Sequence, residues 1–207
     1  MAAIKNIIFD LGGVLINIDY NKTAHAFNSL GINDFTSMYA QFTADALFEG
    51  LETGQTSENV FYDFMTKKGS SPLQIPEIQL AWNAMILDIR EESFVFLKTI
   101  DKKYNLYLLS NTNAIHKAAF EKIFTDQTSW PSIDSFFKKA YYSHLVGLRK
   151  PNKNIYQFVL NDARIVAEET LFIDDSINNI EGAARVGIKT HLLKPDEKIE
   201  DLQYGLI

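Results

Sequence analysis

Four apolar runs in this chain are each followed by polar residues that could bind a phosphate group or a metal ion. The runs and their polar residues are Ile7–Phe9 with Asp10, Leu106–Leu109 with Ser110, Asn111 and Thr112, Tyr141–Ser143 with Arg149, Lys150 and Pro151, and Leu171–Ile173 with Asp174 and Asp175. Ligands of open α/β sheets bind beyond the carboxyl ends of the strands. If these runs are neighbouring strands, three carboxylates, a hydroxyl, an amide and an ammonium meet at one place.

A carboxylate directly after a buried strand, as at Asp10, can ligate a metal ion or attack phosphorus. Attack would form an aspartyl phosphate and divide one difficult displacement into two easier ones. Gly12 and Gly13 follow, and glycine lets a backbone approach a metal ion or a phosphate closely. Because such a sequence is also common in strand-ending turns, this interpretation depends on the other three segments.

Asp174 and Asp175 are adjacent, so their side chains cannot point in the same direction. One of them can bind a cation directly, while the other acts through water or orients Lys150. Mg²⁺ favours one or two carboxylates together with water and substrate phosphate. A solvated acidic turn, or a helix N-cap at Asp175, is the structural alternative.

The segment 110–112 precedes a predicted helix, whose free N–H groups favour phosphate. Ser110 can donate a hydrogen bond to a phosphoryl oxygen, and Asn111 can assist through its backbone and side chain. The ammonium of Lys150 could neutralise both an aspartate and a transferring phosphoryl group. Taken alone, the first segment would be a helix cap and the lysine a solvated charge. Arg149 is interpreted as structural.

Composition limits the class of protein. The chain has 207 residues, of which 46% are hydrophobic and 22% charged, which is typical of a globular protein of one or two domains. The net charge of -6 argues against a broad nucleic-acid surface and against a basic membrane-binding stripe. There is no cysteine, which excludes disulfides and thiolate metal sites. The short apolar N-terminal run and the lack of a 20-residue apolar stretch predict a cytosolic enzyme.

Residues 20 to 87 show helical spacing, and no strand is predicted among them. Four helices are expected, separated by a loop at Glu49–Gly54 and by other breakers: one capped by Asp19 or Asn21 and ended by Gly31, one carrying Phe35, Met38, Tyr39, Phe42, Ala46 and Leu47, one capped by Ser57 and ended at Gly69, and one after Pro72 and Pro76. Phe27, Phe42, Phe61, Phe64 and Trp82 are predicted to build its core. This segment is interpreted as a small helical bundle.

From Glu91 onward, predicted helices alternate with short apolar strands. The helices span 91–103, 113–124, 152–161 and 177–186, and the strands span 105–109, 139–143, 170–173 and 189–193. Such βα units with near-continuous apolar strands indicate a parallel sheet covered on both faces. Ile7–Phe9 must join that sheet, because so short a run is not stable alone. The fold class is therefore α/β, with a core of residues 1–16 and 90–207 and a helical domain, 17–89, inserted after the first strand.

Together the four motifs resemble those of the haloacid dehalogenase-like hydrolase superfamily. They are Asp10-Leu11-Gly12-Gly13-Val14-Leu15, Leu109-Ser110-Asn111-Thr112-Asn113, Arg149-Lys150-Pro151 and Phe172-Ile173-Asp174-Asp175. The resemblance spans residues 7 to about 193 and places the helical insertion where the superfamily carries a C1-type cap. It implies a Rossmann-like core and an Asp10 nucleophile.

The resemblance also implies a Mg²⁺ site and a phosphate site. The metal would be held by Asp10, the Gly12 carbonyl and Asp175, with Asp174 beside them. Phosphate would be held by Ser110, Asn111 and Lys150.

Gly12 departs from the superfamily pattern, because most phosphatases of the superfamily carry a second aspartate there as general acid and base. Losing such a group typically costs about 10²–10⁴-fold in rate. The Asp-Leu-Gly variant with Ser-Asn-Thr-Asn is similar to a sugar-phosphate branch that includes α-D-glucose-1-phosphate phosphatases, in which an anomeric oxygen leaves readily. The expected function is a magnesium-dependent phosphatase acting on a small phosphorylated metabolite, such as a sugar phosphate.

Two alternatives stay open at this point. A haloacid dehalogenase releases halide without a proton and without metal, but it would leave the Asp174–Asp175 pair unexplained. A phosphate-binding protein with little turnover is the other alternative. Crowding Asp10, Lys150 and Asp175 without a cation is costly, which argues against it.

The cap is expected to select the substrate, either through the Glu49–Gly54 loop or through Asp19, Tyr20 and Asn21 near the junction with the core. The four histidines, His25, His116, His144 and His191, have no metal-ligand spacing and are interpreted as structural or exposed.

Overall fold

The computed structural model describes residues 3–40, 43–44, 46–69 and 71–202. Strands and helices alternate through most of this length. In chain order they are β1 (Asn6–Phe9), β2 (Ile16–Ile18), α1 (Tyr20–Ser29), α2 (Phe35–Met38), β3 (Tyr39–Ala40), β4 (Thr43–Ala44), α3 (Ala46–Glu52), α4 (Glu58–Thr66), α5 (Ile75–Asn83), β5 (Ile86–Ile89), α6 (Glu91–Ile100), β6 (Asn105–Ser110), α7 (Ala114–Gln127), β7 (Lys139–Tyr142), α8 (Ser143–Val146), α9 (Lys153–Ala163), β8 (Thr170–Asp174), α10 (Ile177–Ala184) and β9 (Lys189–Leu192). In the described ranges, no helix is long and apolar enough to cross a membrane.

Five strands form one parallel sheet in the order β7-β6-β1-β8-β9. Phe9 of β1 is in register with Leu108 of β6 on one side and Ile173 of β8 on the other. The three central strands therefore end at the same edge, and the polar residues that follow them are brought together. This sheet confirms the predicted α/β fold.

Side chains alternate between the two faces of the sheet, as the pleat requires. One face packs Ile7, Phe9, Leu106 and Leu108 against Phe94 and Leu97 of α6 and Phe120 and Phe124 of α7. The other packs Ile8, Tyr107, Leu109 and Phe172 against Ile155, Tyr156 and Val159 of α9 and Ile180 and Ala183 of α10. Both faces are covered, which is why the strands are almost continuously apolar.

The helices between β2 and β5 surround a hydrophobic cluster of their own, which includes Phe27, Phe35, Phe48, Phe61 and Trp82. Two predicted caps are confirmed. Asp19 Oδ1 accepts a hydrogen bond from the Asn21 N–H at 3.0 Å, and Ser57 Oγ accepts one from the Val60 N–H at 3.4 Å.

The predicted single helix over residues 35–47 is wrong. α2 ends at Met38, Tyr39 is extended with φ -144°, and the short antiparallel pair β3–β4 follows before α3 begins. With Tyr39 extended, the centroid of its ring lies 4.9 Å from that of Trp82 and 5.2 Å from that of Phe48. Tertiary packing therefore overrides the helical spacing. Phe42 lies outside the described residues.

Three further expectations for this segment are corrected. Glu49 to Glu52 are helical rather than loop, and Gly50 fits because a side chain there would overlap Thr56. α4 ends at Thr66 rather than at Gly69. Strands are present, because β2 and β5 pair antiparallel, with Ile16 opposite Ile89. Each of these two strands is too short to be recognised until its partner, far away in the chain, is known.

His116 joins α7 to the end of α5. Its ring stacks on Trp82 with centroids 4.5 Å apart, and its Nε2 lies 3.1 Å from the Trp82 carbonyl oxygen. The Asn113 amide donates to Nδ1 at 3.1 Å, since the Asn113 oxygen already accepts the His116 N–H. His116 is therefore neutral, with its proton on Nε2. Burial lowers its pKa to about 4.

This histidine should make the protein acid-sensitive. Below pH 6.5 the unfolded chain takes up a proton at residue 116 that the folded chain binds only near pH 4, so the free energy of unfolding should fall by up to about 1.4 kcal/mol per pH unit in that window. His116→Gln should remove this slope, measured by urea unfolding between pH 4 and pH 7. His25→Gln, at an exposed position, is the matched control and should keep the slope. Identical slopes in both variants would contradict the assignment.

Candidate active site

The carboxyl ends of β1 and β8 bring three acidic side chains together. Asp10, Asp174 and Asp175 each place a carboxylate oxygen within 4.8 Å of the others. Lys150 Nζ lies 2.7 Å from Asp10 Oδ1 and 2.7 Å from Asp174 Oδ2, and only 1% of the lysine is exposed. The structure thus places the sequence-predicted carboxylates and lysine in one cluster.

The two adjacent aspartates have different surroundings. Asp174 is fully buried, and both of its oxygens are engaged, by the Ser176 N–H at 2.8 Å, by the Asn179 amide at 3.0 and 3.1 Å and by Lys150. Asp175 is half-buried and lines a cavity. Asp174 is therefore suited to orienting the lysine, and Asp175 is the one free to meet a cation. The partners Ser176 and Asn179 were missed in the sequence, where they are only polar residues at the start of a helix.

The cluster holds more negative than positive charge. Burial, followed by Asp174 and Asp175, raises the pKa of Asp10 to about 8, although Lys150 opposes this. Burial and Asp174 likewise raise the pKa of Asp175 to about 6. Burial disfavours the charge on Lys150, but Asp10 and Asp174 outweigh it and raise its pKa. Three carboxylates therefore face a single ammonium, and carboxylate oxygens are ligands that Mg²⁺ prefers. A bound Mg²⁺ would relieve the repulsion among the carboxylates.

Gly13 is required where the chain passes Asp175. Its φ is +75°, a conformation that side chains disfavour, and a Cβ on this residue would overlap the Asp175 carboxylate. The acidic side chain therefore packs directly against the backbone after β1.

Gly13→Ala should displace the Asp175 carboxylate and weaken metal binding. We expect the Mg²⁺ concentration for half-maximal activity to rise roughly 10–100-fold, the effect typical of disturbing the support of a metal ligand. Gly187→Ala is the matched control, because its φ of +88° imposes similar backbone strain while its Cβ would only touch Ala167 at 3.6 Å. An equal shift in both variants would mean that backbone strain, rather than the contact with Asp175, is responsible.

Asn111 positions Lys150 by holding its backbone from both sides. The Asn111 Oδ1 accepts the Lys150 N–H at 2.9 Å, and the Asn111 amide donates to the Lys150 carbonyl at 2.9 Å. Nearby, the Thr112 N–H donates to Ser143 Oγ at 2.9 Å, which ties the end of β6 to the end of β7. The Asn111 side chain is thus engaged with the lysine backbone, while Ser110 ends β6 in the wall of the cavity.

A cavity of about 160 Å³ opens beside this cluster. Residues that follow β1, residues at and after the end of β6, the Lys150 loop, and residues of α7 and α10 line one part of it. Residues of the helical segment and its flanking strands line the other part: Ile16, Ile18, Tyr20, Tyr39, Glu52, Met85 and Ile86. Of the segments expected to face the substrate, Tyr20 and Glu52 do so. Asp19 instead caps α1, and neither it nor Asn21 lines the cavity.

The position of the missing aspartate is occupied by a neighbour. A Cβ on Gly12 would lie 3.0 Å from Ile18 Cδ1, so β2 fills the space that an acidic side chain at residue 12 would take. A side chain at this position requires Ile18 to move.

Arg149 was interpreted as structural but lines the cavity, where its Nη2 lies 2.9 Å from Glu52 Oε2. Tyr39 and Glu52 were not recognised as a pair either. No sequence signal joins these residues, because the Lys150 loop is distant in the chain from β3 and α3 and meets them only in the fold.

This fold, with carboxylates and a buried lysine at the strand ends, defines a hydrolase of the haloacid dehalogenase-like class. The model of the haloacid dehalogenase-like hydrolase family matches residues 4–187, and the chain belongs to that family. It is 30% identical over 188 residues to a D-ribitol-5-phosphate phosphatase of Bacteroides thetaiotaomicron, with 90% of each chain covered.

Solved structures agree with this assignment. A family enzyme from Bacteroides thetaiotaomicron, solved as a mutant in complex with magnesium and inorganic phosphate, superposes with a TM-score of 0.89 at 32% identity, covering 95% of this chain and 97% of the other. A predicted hydrolase of the family from Porphyromonas gingivalis gives a TM-score of 0.84 at 32% identity, covering 95% and 94%. The predicted family and the Rossmann-like core are confirmed.

Proposed function

We propose that the protein is a magnesium-dependent phosphatase that hydrolyses a small sugar or polyol phosphate through an aspartyl phosphate on Asp10. The observation that carries this proposal is the cluster of three carboxylates around one buried ammonium, beside a cavity at the strand ends. The predicted enzyme class, a phosphoric monoester hydrolase, and the predicted Mg²⁺ cofactor are confirmed by the relatives. A dehalogenase gains no support from them.

Asp10, Asp175 and the Gly12 carbonyl would hold the metal, and Asp174 would orient Lys150. When bound, Mg²⁺ supplies positive charge that balances the carboxylates and the phosphate. The helical segment, 17–89, would act as the cap that closes the cavity.

In the proposed reaction Asp10 attacks phosphorus, and the bond between phosphorus and the substrate oxygen breaks as that oxygen takes a proton from water. Water then hydrolyses the aspartyl phosphate, which restores the carboxylate and releases inorganic phosphate. Lys150 holds the carboxylate in line and offsets its charge, and Ser110 donates to a phosphoryl oxygen. Residue 12 takes no part in proton transfer, since glycine has no titratable group.

The substrate proposed here is not restricted to anomeric phosphates. The ribitol 5-phosphate of the similar Bacteroides enzyme is an open-chain polyol ester without an anomeric oxygen. A polyol phosphate is therefore included beside sugar phosphates. The cytosolic location and the absence of nucleic-acid and membrane partners stay predictions from the sequence.

The proposal is tested by a screen of phosphorylated metabolites for phosphate release, with Mg²⁺ and with chelator. We expect release that requires Mg²⁺ and that is absent from Asp10→Asn. Halide release from 2-haloacids in the presence of chelator would instead indicate a dehalogenase. Ligand-induced stabilisation without any turnover would indicate a phosphate-binding protein.

A further inference from the structure

Two residues of the cavity wall each have a buried polar atom without a hydrogen-bond partner. These atoms are Glu52 Oε2 and Arg149 Nε, and in the described part of the chain they are accompanied only by Asn83 Oδ1 and His144 Nδ1. Glu52 is 6% exposed. Buried polar groups are nearly always hydrogen-bonded, so the protein alone does not fully satisfy these two residues of the cavity wall.

Glu52 and Arg149 form an ion pair without a hydrogen bond between their side chains. Arg149 Nη2 lies 2.9 Å from Glu52 Oε2, and Oε2 has no hydrogen-bond partner beyond this ion pair. Glu52 Oε1 accepts a hydrogen bond from the Tyr39 hydroxyl at 3.1 Å. The wall therefore offers a carboxylate oxygen as acceptor and a guanidinium N–H as donor, which are the complements of a hydroxyl group.

One member of this pair, Arg149, adjoins the proposed phosphate site along the chain. Arg149 directly precedes Lys150, whose backbone is fixed by both atoms of the Asn111 amide. Both Glu52 and Arg149 line the same small cavity as Asp10 and Ser110. A substrate whose phosphate contacts Lys150 would thus need only a short body to reach them.

We propose that Glu52 and Arg149 form a hydroxyl-binding subsite that selects polyhydroxylated phosphate esters over apolar ones. This inference rests on the proposed phosphatase function and names the substrate chemistry of the same site. A substrate hydroxyl donates to the Glu52 carboxylate and accepts from the Arg149 guanidinium, both of which line the cavity. An apolar ester in the same place covers both charged groups without giving them a hydrogen bond, which costs binding free energy and so discriminates against it.

The test compares ribitol 5-phosphate with phenyl phosphate, an ester without hydroxyls, in wild type and Glu52→Gln. The ratio of their kcat/KM values should fall roughly 10–100-fold in the variant, the loss expected when a hydrogen bond to a charged group is removed. Glu49→Gln is the matched control: its side chain is 51% exposed, lies 3.9 Å from Arg149 Nη1 and does not line the cavity. The control should keep the wild-type ratio.

A second measurement separates recognition from folding. Binding is measured by calorimetry in Asp10→Asn, whose turnover is too slow to interfere, with and without Glu52→Gln. Adding Glu52→Gln should lower the affinity for ribitol 5-phosphate more than the affinity for phenyl phosphate. An unchanged ratio in both experiments overturns the subsite. If wild type releases phosphate from neither ester nor from any other in the screen, the proposed function itself fails.

Discussion

Asp10→Asn should lower kcat roughly 10⁴-fold or more for every phosphate ester that the enzyme accepts, the scale of losing the nucleophile in covalent enzymes. An amide oxygen is a poor nucleophile and cannot form the acyl phosphate. Lys150 keeps Asp174 as a partner at 2.7 Å in the variant, so the site loses its reacting atom rather than its framework. Steady-state kinetics with saturating Mg²⁺ measures the effect.

Asp19→Asn is the matched control for this variant. It makes the same chemical change a short distance along the chain, at a residue that caps α1 and does not line the cavity, and asparagine caps helices equally well. Its activity should stay within about twofold of wild type, since surface changes of this kind are usually small. Activity of Asp10→Asn within tenfold of wild type would mean that another residue is the nucleophile.

The same substitution also has an expected effect on stability. The pKa of Asp10 is raised from 3.8 to about 8 by burial and by the neighbouring carboxylates. Its contribution to stability is therefore fully present below pH 4 and is lost as the pH rises toward 8. With chelator present, the free energy of unfolding of wild type should fall more between pH 6 and pH 8 than that of Asp10→Asn. A steeper fall in the variant would contradict the raised pKa.

Lys150→Met should be both inactive and unstable. Removing one partner of a buried ion pair leaves the other charge uncompensated, which costs about 3–5 kcal/mol in the free energy of unfolding. Here the lysine is 1% exposed, and Asp174 is fully buried. Loss of the ammonium that faces the transferring group should also lower kcat by about 10³-fold. Urea unfolding and steady-state kinetics measure the two effects.

A double variant separates these two roles of the lysine. In Lys150→Met/Asp174→Asn the buried carboxylate becomes neutral, and the Asn179 and Ser176 contacts to residue 174 can be kept in part. We expect much of the lost stability to return while activity stays low. Recovery of both would mean that Lys150 serves only to neutralise Asp174.

The strand ends could be predicted because their signal is local. An apolar run that stops at Asp10, Ser110 or Asp174 indicates where a buried strand ends and where polar side chains follow it. The cluster was expected on the condition that these runs are neighbouring strands, and the order β7-β6-β1-β8-β9 meets that condition. Only the division of labour between the two adjacent aspartates needed the hydrogen bonds of Asp174.

The helical segment was predicted less well because its shape depends on distant partners. β2 and β5 are stable only as a pair, and the extended Tyr39 follows from packing against Trp82 and Phe48 rather than from its neighbours in the chain. The pairing of Glu52 with Arg149 likewise has no pattern that a sequence shows. This part of the cavity wall was therefore hidden, although the carboxylates at the strand ends were evident.

The pairing of Ile16 with Ile89 has a consequence for how such enzymes diversify. The chain enters and leaves the helical segment at adjacent points, so the helices between can be lengthened, shortened or replaced without shifting Asp10 relative to Asp175. Substrate preference can therefore change through the helical segment alone, while the residues at the strand ends keep their positions.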